Sequence, residues 1–142
     1  MRLLSFALLI TSFTVIPAAQ SAELNGQPGL YEINLHTVMP GMDMPDQVLQ
    51  ECMTKEDLAD PQRMLNKGGS DGCQLKDLKQ ENNRMNFSII CPNEQMTGQG
   101  AYLFAGDSYT GQMALTMPNP GGAGSAMSIT TTTKAKRIGP CK

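Results

Sequence analysis

Leu-Tyr-Glu-Ile-Asn-Leu-His-Thr-Val, at residues 30–38, is the clearest structural signal in this chain. Apolar side chains at positions 31, 33 and 35 alternate with polar ones at 32, 34 and 36. Alternation with a period of two is typical of a β-strand that buries one face and exposes the other. We therefore predict a half-buried strand here and a β-sheet around it.

Similar stretches, bounded by Gly, Pro, Asn and Asp, follow along the chain. They predict further strands at residues 47–53, 74–79, 84–90, 98–104, 109–117 and 127–133. A short helix is predicted to begin after the N-cap Thr54 and to end at Gly68, with Pro61 inside it. The Gly- and Pro-rich residues 118–124 predict a mobile loop. About seven antiparallel strands in consecutive hairpins predict an all-β meander, curled into an open barrel or a sandwich.

The N-terminal segment, residues 1–22, carries the pattern of a signal peptide. Arg2 precedes an apolar run at 3–16, and small residues at 17–22 offer a cleavage site. The run is shorter than the ~20 residues that a membrane span needs, and no cysteine follows for lipid attachment. We expect a mature domain at residues 23–142, exported to the periplasm or secreted, without a stable membrane anchor.

Charge and composition narrow the possible partners. The chain has 11 Lys+Arg and 13 Asp+Glu, and loss of Arg2 leaves 10 basic residues and a net charge of −3. This mildly acidic balance does not favour nucleic acid. The chain contains 11 Met and no Trp, so its core must rely on aliphatic side chains and methionine.

The four cysteines, in a chain bound for an oxidising compartment, predict two disulfides rather than a zinc site, because no pair has metal-knuckle spacing. If the hairpin around the turn at 80–83 contains no bulge, the numbers of any two facing residues sum to 164, and Cys73 then lies opposite Cys91. Cys52 then remains for Cys141. A one-residue bulge would favour the rival pairing of Cys52 with Cys73 and Cys91 with Cys141.

Several stretches give the chain a family resemblance. They are Pro28-Gly29-Leu30-Tyr31-Glu32, the residues at 39–45, Gln50-Glu51-Cys52-Met53-Thr54, 73–78, 106–111 and 136–141. In these the chain resembles the bacterial family named domain of unknown function 3617, although that family usually has Trp where Tyr31 stands. The resemblance implies a small periplasmic or secreted protein of Gram-negative bacteria, and it carries over no activity.

The sharpest chemical feature is the Met-rich loop at 36–45. Met39, Met42 and Met44 offer three thioethers, soft ligands that select Cu(I), and His36 could add an imidazole. The alternative is that these methionines are flexible apolar filler or contact a partner. No fixed metal template matches the spacing, so packing is the preferred interpretation and no metal or other cofactor is expected.

Few residues of the sequence form a pattern that is typical of a catalytic site. His36 is the sole histidine, and its candidate partners Asp107 and Ser108 lie in a predicted hairpin turn. Carboxylates at 43, 46, 51 and 107 could meet in space, but no pattern favours this. We therefore predict no catalytic residues and a non-enzymatic module that binds an unknown small ligand or an envelope protein. A periplasmic copper(I) carrier is the alternative.

Overall fold

A computed structural model describes residues 24–70, 72–119 and 124–142. The predicted signal peptide lies outside these residues, as does the centre of the predicted loop at 118–124. Within them the chain forms eight strands and two short helices. The strands are β1 Gly29–Met39, β2 Met42–Asp43, β3 Gln47–Met53, β4 Gln74–Glu81, β5 Arg84–Cys91, β6 Met96–Phe104, β7 Ser108–Met117 and β8 Met127–Gly139. The helices are α1 Lys55–Ala59 and α2 Pro61–Lys67.

All of these strands belong to one antiparallel sheet, which confirms the predicted all-β class. The order is β2-β1-β8-β7-β6-β5-β4, and β3 pairs with β1 beside β2. The sheet curls without closing, and its two edges are β3 and β4 in the described part of the chain. Because the described strands form one curled sheet, the fold is an open barrel rather than a two-sheet sandwich, and the helices connect its two edges.

The inner face of the curled sheet carries the core. Alternate residues of each strand point inward, as the period of two requires. The buried side chains include Tyr31, Ile33, Met85, Phe87, Ile89, Phe104 and Tyr109. Phe87 lies over Gly100 and Tyr102 over Gly111, its partner on β7, so both glycines leave room for an aromatic ring.

Two disulfides join the described residues. Cys73 bonds to Cys91, and Cys52 bonds to Cys141, which ties the C-terminal end to the end of β3. This is the pairing that the hairpin argument favoured, but its premise of an unbulged hairpin was wrong. Next to the turn at Asn82, the numbers of two facing residues sum to 165. A bulge between Lys76 and Lys79 shifts the register, and towards the cysteines the numbers of facing residues sum to 164. Asp77, with a φ of 50°, lies inside that bulge.

Three other details differ from the sequence predictions. Pro61 divides the predicted helix in two, because it occupies the first turn of α2 while Asp60 ends α1 and caps α2. The residues after Pro40 form the two-residue strand β2, with Gly41 at a φ of 76° in the turn. Strand β8 runs on through the basic residues to Gly139, because it pairs with both β1 and β7.

Candidate functional site

A cavity of about 340 Å³ lies between the inner face of the sheet and the two helices. Its volume is at the lower end of the range typical of small-molecule sites, about 300–1,000 Å³. Strands β1, β3, β4, β5, β6, β7 and β8 all contribute side chains to its wall. The curl of the sheet therefore creates a space that no single strand reveals.

Most of the wall is apolar. Its aliphatic and thioether side chains are Ile33, Leu35, Leu49, Met53, Met64, Leu65, Leu75, Met85 and Met113. The aromatic rings of Phe87, Tyr102 and Tyr109 line the same space. The Phe87 and Tyr102 rings stack with centroids 6.0 Å apart, and the Tyr102 and Tyr109 rings meet edge to face at 6.1 Å. Such a wall favours a ligand with an apolar body.

The helices are held over the cavity by bonds to both edges of the sheet. On the β4 side, the Gln62 amide donates to the Cys73 carbonyl at 3.0 Å and accepts from the Leu75 N–H at 2.9 Å. On the β3 side, Lys67 Nζ donates to the Cys52 carbonyl at 3.0 Å. The helical segment thus bridges the gap where an open sheet would expose its core.

The buried carboxylate of Asp57 organises this segment. It accepts from the Thr54 N–H at 2.8 Å, while Thr54 Oγ1 accepts from the Asp57 N–H at 3.2 Å. These reciprocal bonds form a capping box at the start of α1. Lys67 Nζ donates to Asp57 Oδ2, and Arg63 Nε lies 3.5 Å from Oδ1. Burial opposes ionisation of Asp57, but the hydrogen bonds from Lys67 and Thr54 outweigh it and lower its pKa from 3.8 to about 2.

Glu51 is the second carboxylate of the cavity wall. It lies on the inner face of β3, directly opposite Tyr31 on β1. Within the described part of the chain it makes no ion pair within 4.0 Å, and Lys67, the cation that interacts with it electrostatically, pairs with Asp57. Burial raises the pKa of the Glu51 carboxyl above 4.5, with Lys67 opposing the rise and Asp57 adding to it.

Two tyrosine hydroxyls add polar groups to the wall. Burial raises the pKa of Tyr109, and the neighbouring Tyr102, Glu51 and Tyr31 raise it further. Burial also raises the pKa of Tyr102, while its hydrogen bond with Thr133 acts in the opposite direction. Both hydroxyls therefore stay protonated near neutral pH.

The structure brings two methionines of the Met-rich loop together and places His36 apart from them. Met39 and Met42 face each other across the β1–β2 hairpin, so their side chains share one face of the sheet. His36, three residues before Met39, lies on the opposite face. Its Nδ1 is 2.8 Å from Asp46 Oδ1 and its Nε2 is 3.4 Å from Asp43 Oδ1. The imidazole thus contacts carboxylates, and a copper site at this loop stays the untested alternative.

The other carboxylates and the Ser108 turn occupy separate places. Asp107 lies in the β6–β7 turn, where the Arg137 N–H donates to its carbonyl at 2.7 Å, and Ser108 is the first residue of β7. His36 faces Thr132 on β8, whereas Ser108 faces Lys136 on β8 from the other neighbouring strand. His36 therefore contacts Asp43 and Asp46 rather than Ser108.

Sequence reasoning missed the cavity, although one signal pointed to it. The inner face of the predicted strand 47–53 reads Leu49, Glu51, Met53, so a carboxylate interrupts an apolar face. The role of Asp57 in the capping box agrees with its predicted position in the first helical turn. Its buried pairing with Lys67 depends on how α2 returns past α1, which a local pattern does not encode.

Comparison with known proteins gives a family and no further relative. A family model described as "Protein of unknown function (DUF3617)" matches residues 26–141, a range that includes all four cysteines and the strands and helices of the described residues. No curated protein and no solved structure matches the chain. In the part of the chain that the structure describes, no helix has the length and apolar character to cross a membrane.

Proposed function

We propose that this chain, which belongs to the DUF3617 family of proteins of unknown function, is a non-enzymatic binding module of the bacterial envelope that holds a small, largely apolar ligand in its cavity. The observation that carries the proposal is the cavity of about 340 Å³ beneath the two helices, with a mainly apolar wall and a few polar groups. This combination is typical of small-molecule sites.

The construction of the fold supports a binding role. A core that served stability alone would pack to high density, because each void forfeits dispersion contacts with the missing atoms. Here the helical segment is instead held above the sheet by Gln62 and Lys67, at the two edges. A space maintained by specific polar bonds on both sides is well suited to a guest molecule.

The polar groups of the cavity favour binding over catalysis. The carboxylate of Asp57 is committed to the capping box and to Lys67, and the sole histidine contacts Asp43 and Asp46 instead. All four cysteines are in disulfides, so none is a free thiolate nucleophile. We therefore prefer a carrier or sensor of a small molecule to an enzyme.

We place the protein in the periplasm. Disulfides persist in oxidising compartments, and the described residues contain two, which span 18 and 89 residues of sequence. The signal-like residues 1–22 support the same location. Mass spectrometry of protein from the native envelope should find a mature N-terminus at Ala22 or Glu23, whereas a membrane fraction that retains residues 2–16 would contradict export by cleavage.

A pair of tryptophan reporters tests the binding proposal. Leu49 lines the cavity and is 38% exposed, whereas Leu103 lies on the outer face and is 40% exposed. The chain has no native tryptophan, so Leu49→Trp and Leu103→Trp each give a single emitter. Titration with octanol should shift the Leu49→Trp emission saturably and leave the Leu103→Trp emission unchanged. Equal responses, or none, would contradict a ligand cavity.

A further inference from the structure

The charged side chains of the cavity wall indicate the chemical class of the ligand, provided that the cavity is a binding site as proposed above. Three charged side chains line the space: Glu51, Asp57 and Lys67. Two are carboxylates and one is an ammonium, and both Lys67 and Arg63 pair with Asp57. Among the three wall groups, Glu51 is therefore the one whose charge no ion pair within the described residues offsets, and an anionic ligand head would meet this uncompensated carboxylate.

Asp57 already uses the cations that lie nearby. Lys67 donates to its Oδ2 and to the Cys52 carbonyl, and Arg63 lies beside its Oδ1. Asp57 Oδ1 is nevertheless buried without a hydrogen bond, the one such side-chain atom among the described residues. Buried acceptors of this kind usually have a partner, because their desolvation otherwise goes uncompensated.

Glu51 is the carboxylate that remains for a ligand. Its position opposite Tyr31 places it beside the tyrosine cluster, where the Tyr31 and Tyr109 ring centroids are 5.6 Å apart. A carboxylate at an apolar, half-buried position gains from a cation or a hydrogen-bond donor, and electron-rich aromatic faces nearby add a modest attraction for a cation. Burial also raises the pKa of Glu51, as an incompletely compensated negative charge should.

We infer that the cavity takes an amphiphile with a cationic, hydrogen-bond-donating head, of the primary alkylamine class. Its ammonium pairs with Glu51, and its alkyl chain lies among the methionine, leucine and aromatic side chains of the sheet. A carboxylate amphiphile of equal length is disfavoured because its head would face Glu51 and Asp57 while Lys67 stays engaged.

The test compares three probes that share one alkyl chain: octylamine, octanol and octanoate. Each is titrated into the Leu49→Trp protein at pH 7, where the amine is protonated, and below the concentration at which it aggregates. Octylamine should bind about tenfold more tightly than octanol, the size expected of one charge-assisted hydrogen bond, and octanoate should bind more weakly than octanol.

Glu51→Gln, in the same reporter background, should remove the preference for octylamine and leave octanol binding within about twofold. Glu32→Gln is the matched control, since Glu32 lies one register position away on β1 but on the outer, exposed face. That variant should keep the full preference.

The outcomes separate this inference from the proposed function. Equal affinities for the three probes, tighter binding of octanoate, or an unchanged preference in Glu51→Gln would overturn the cationic head while leaving the cavity as a binding site. If no probe binds saturably, both the ligand class and the binding cavity are refuted.

Discussion

Two regions of this protein share the same kinds of residue and differ in burial. The β1–β2 hairpin carries Met39, Met42 and the exposed pairing of His36 with two aspartates. The cavity carries four methionines of its own and the buried pairing of Asp57 with Lys67. Met42 is 58% exposed, whereas Met85 is 3% exposed.

The difference teaches that position in the sheet, rather than local density in the sequence, decides what these residues do. Three methionines within six residues attract attention as a metal motif, yet the turn at Pro40 leaves Met42 exposed and Met39 and Met44 only half-buried. The cavity methionines come from β3, α2, β5 and β7. Their cluster exists only because long-range strand pairing brings those elements together.

The largest expected contrast between the regions is in packing. Met85→Ala should lower the free energy of unfolding by about 3 kcal/mol, because it removes a buried side chain that borders an existing cavity. Met42→Ala should change it by no more than about 0.5 kcal/mol, as is usual for exposed positions. Urea unfolding monitored by circular dichroism measures both, and equal effects would mean that the hairpin is as well packed as the cavity wall.

A smaller contrast is expected in the dependence of stability on pH. The pKa of Asp57 is lowered on folding, from 3.8 to about 2, so ionised Asp57 stabilises the folded state above pH 4. That contribution, about 2 kcal/mol, should disappear as the pH falls from about 4 to 2.

Asp57→Asn should lower the free energy of unfolding at pH 7 by a similar amount. It should also reduce the loss of stability that occurs between about pH 4 and 2. Asp43→Asn is the control, because its carboxylate is exposed in the hairpin. Thermal unfolding from pH 7 down to pH 2 gives both profiles. If Asp57→Asn loses as much stability in acid as the unmodified protein does, other carboxylates are responsible for that loss.

The smallest effect is expected for copper. If Met39, Met42 and Met44 are packing or contact residues, the mature protein should bind Cu(I) weakly, and replacement of all three by Leu should change the affinity little. Titration against a competing Cu(I) chelator measures this. Tight stoichiometric binding that the triple variant abolishes would restore the copper carrier and make the hairpin the functional site.

The sequence was most informative where structure is local. Alternation predicted β3 to the residue and β1 to within one residue at each end, and the acidic first turn after Thr54 predicted the start of α1. These features depend on side-chain period and on capping, which neighbouring residues determine.

Sequence patterns did not predict the bulge at Asp77 or the cavity, because neither feature depends on local sequence alone. A bulge changes the register of a strand without changing its composition. The β4–β5 turn is one residue shorter than the prediction assumed, and the bulge shifts the register by one residue in the opposite direction. The predicted disulfide pair is correct because these two differences cancel. The cavity depends on the curl of the sheet and on Gln62 and Lys67 reaching opposite edges. Glu51 was named among the carboxylates that could meet, but its ligand-facing position follows only from the pairing of β3 with β1.

The position of the ligand can be read directly from the methionine methyl groups. Met53, Met64, Met85 and Met113 line the cavity, whereas Met39, Met42 and Met44 do not. In protein labelled with ¹³C at the methionine methyls, saturation with octylamine should shift the NMR signals of the cavity methionines and leave those of the hairpin in place. Shifts confined to the hairpin methionines, or no shifts at all, would contradict the account that the cavity is the functional site.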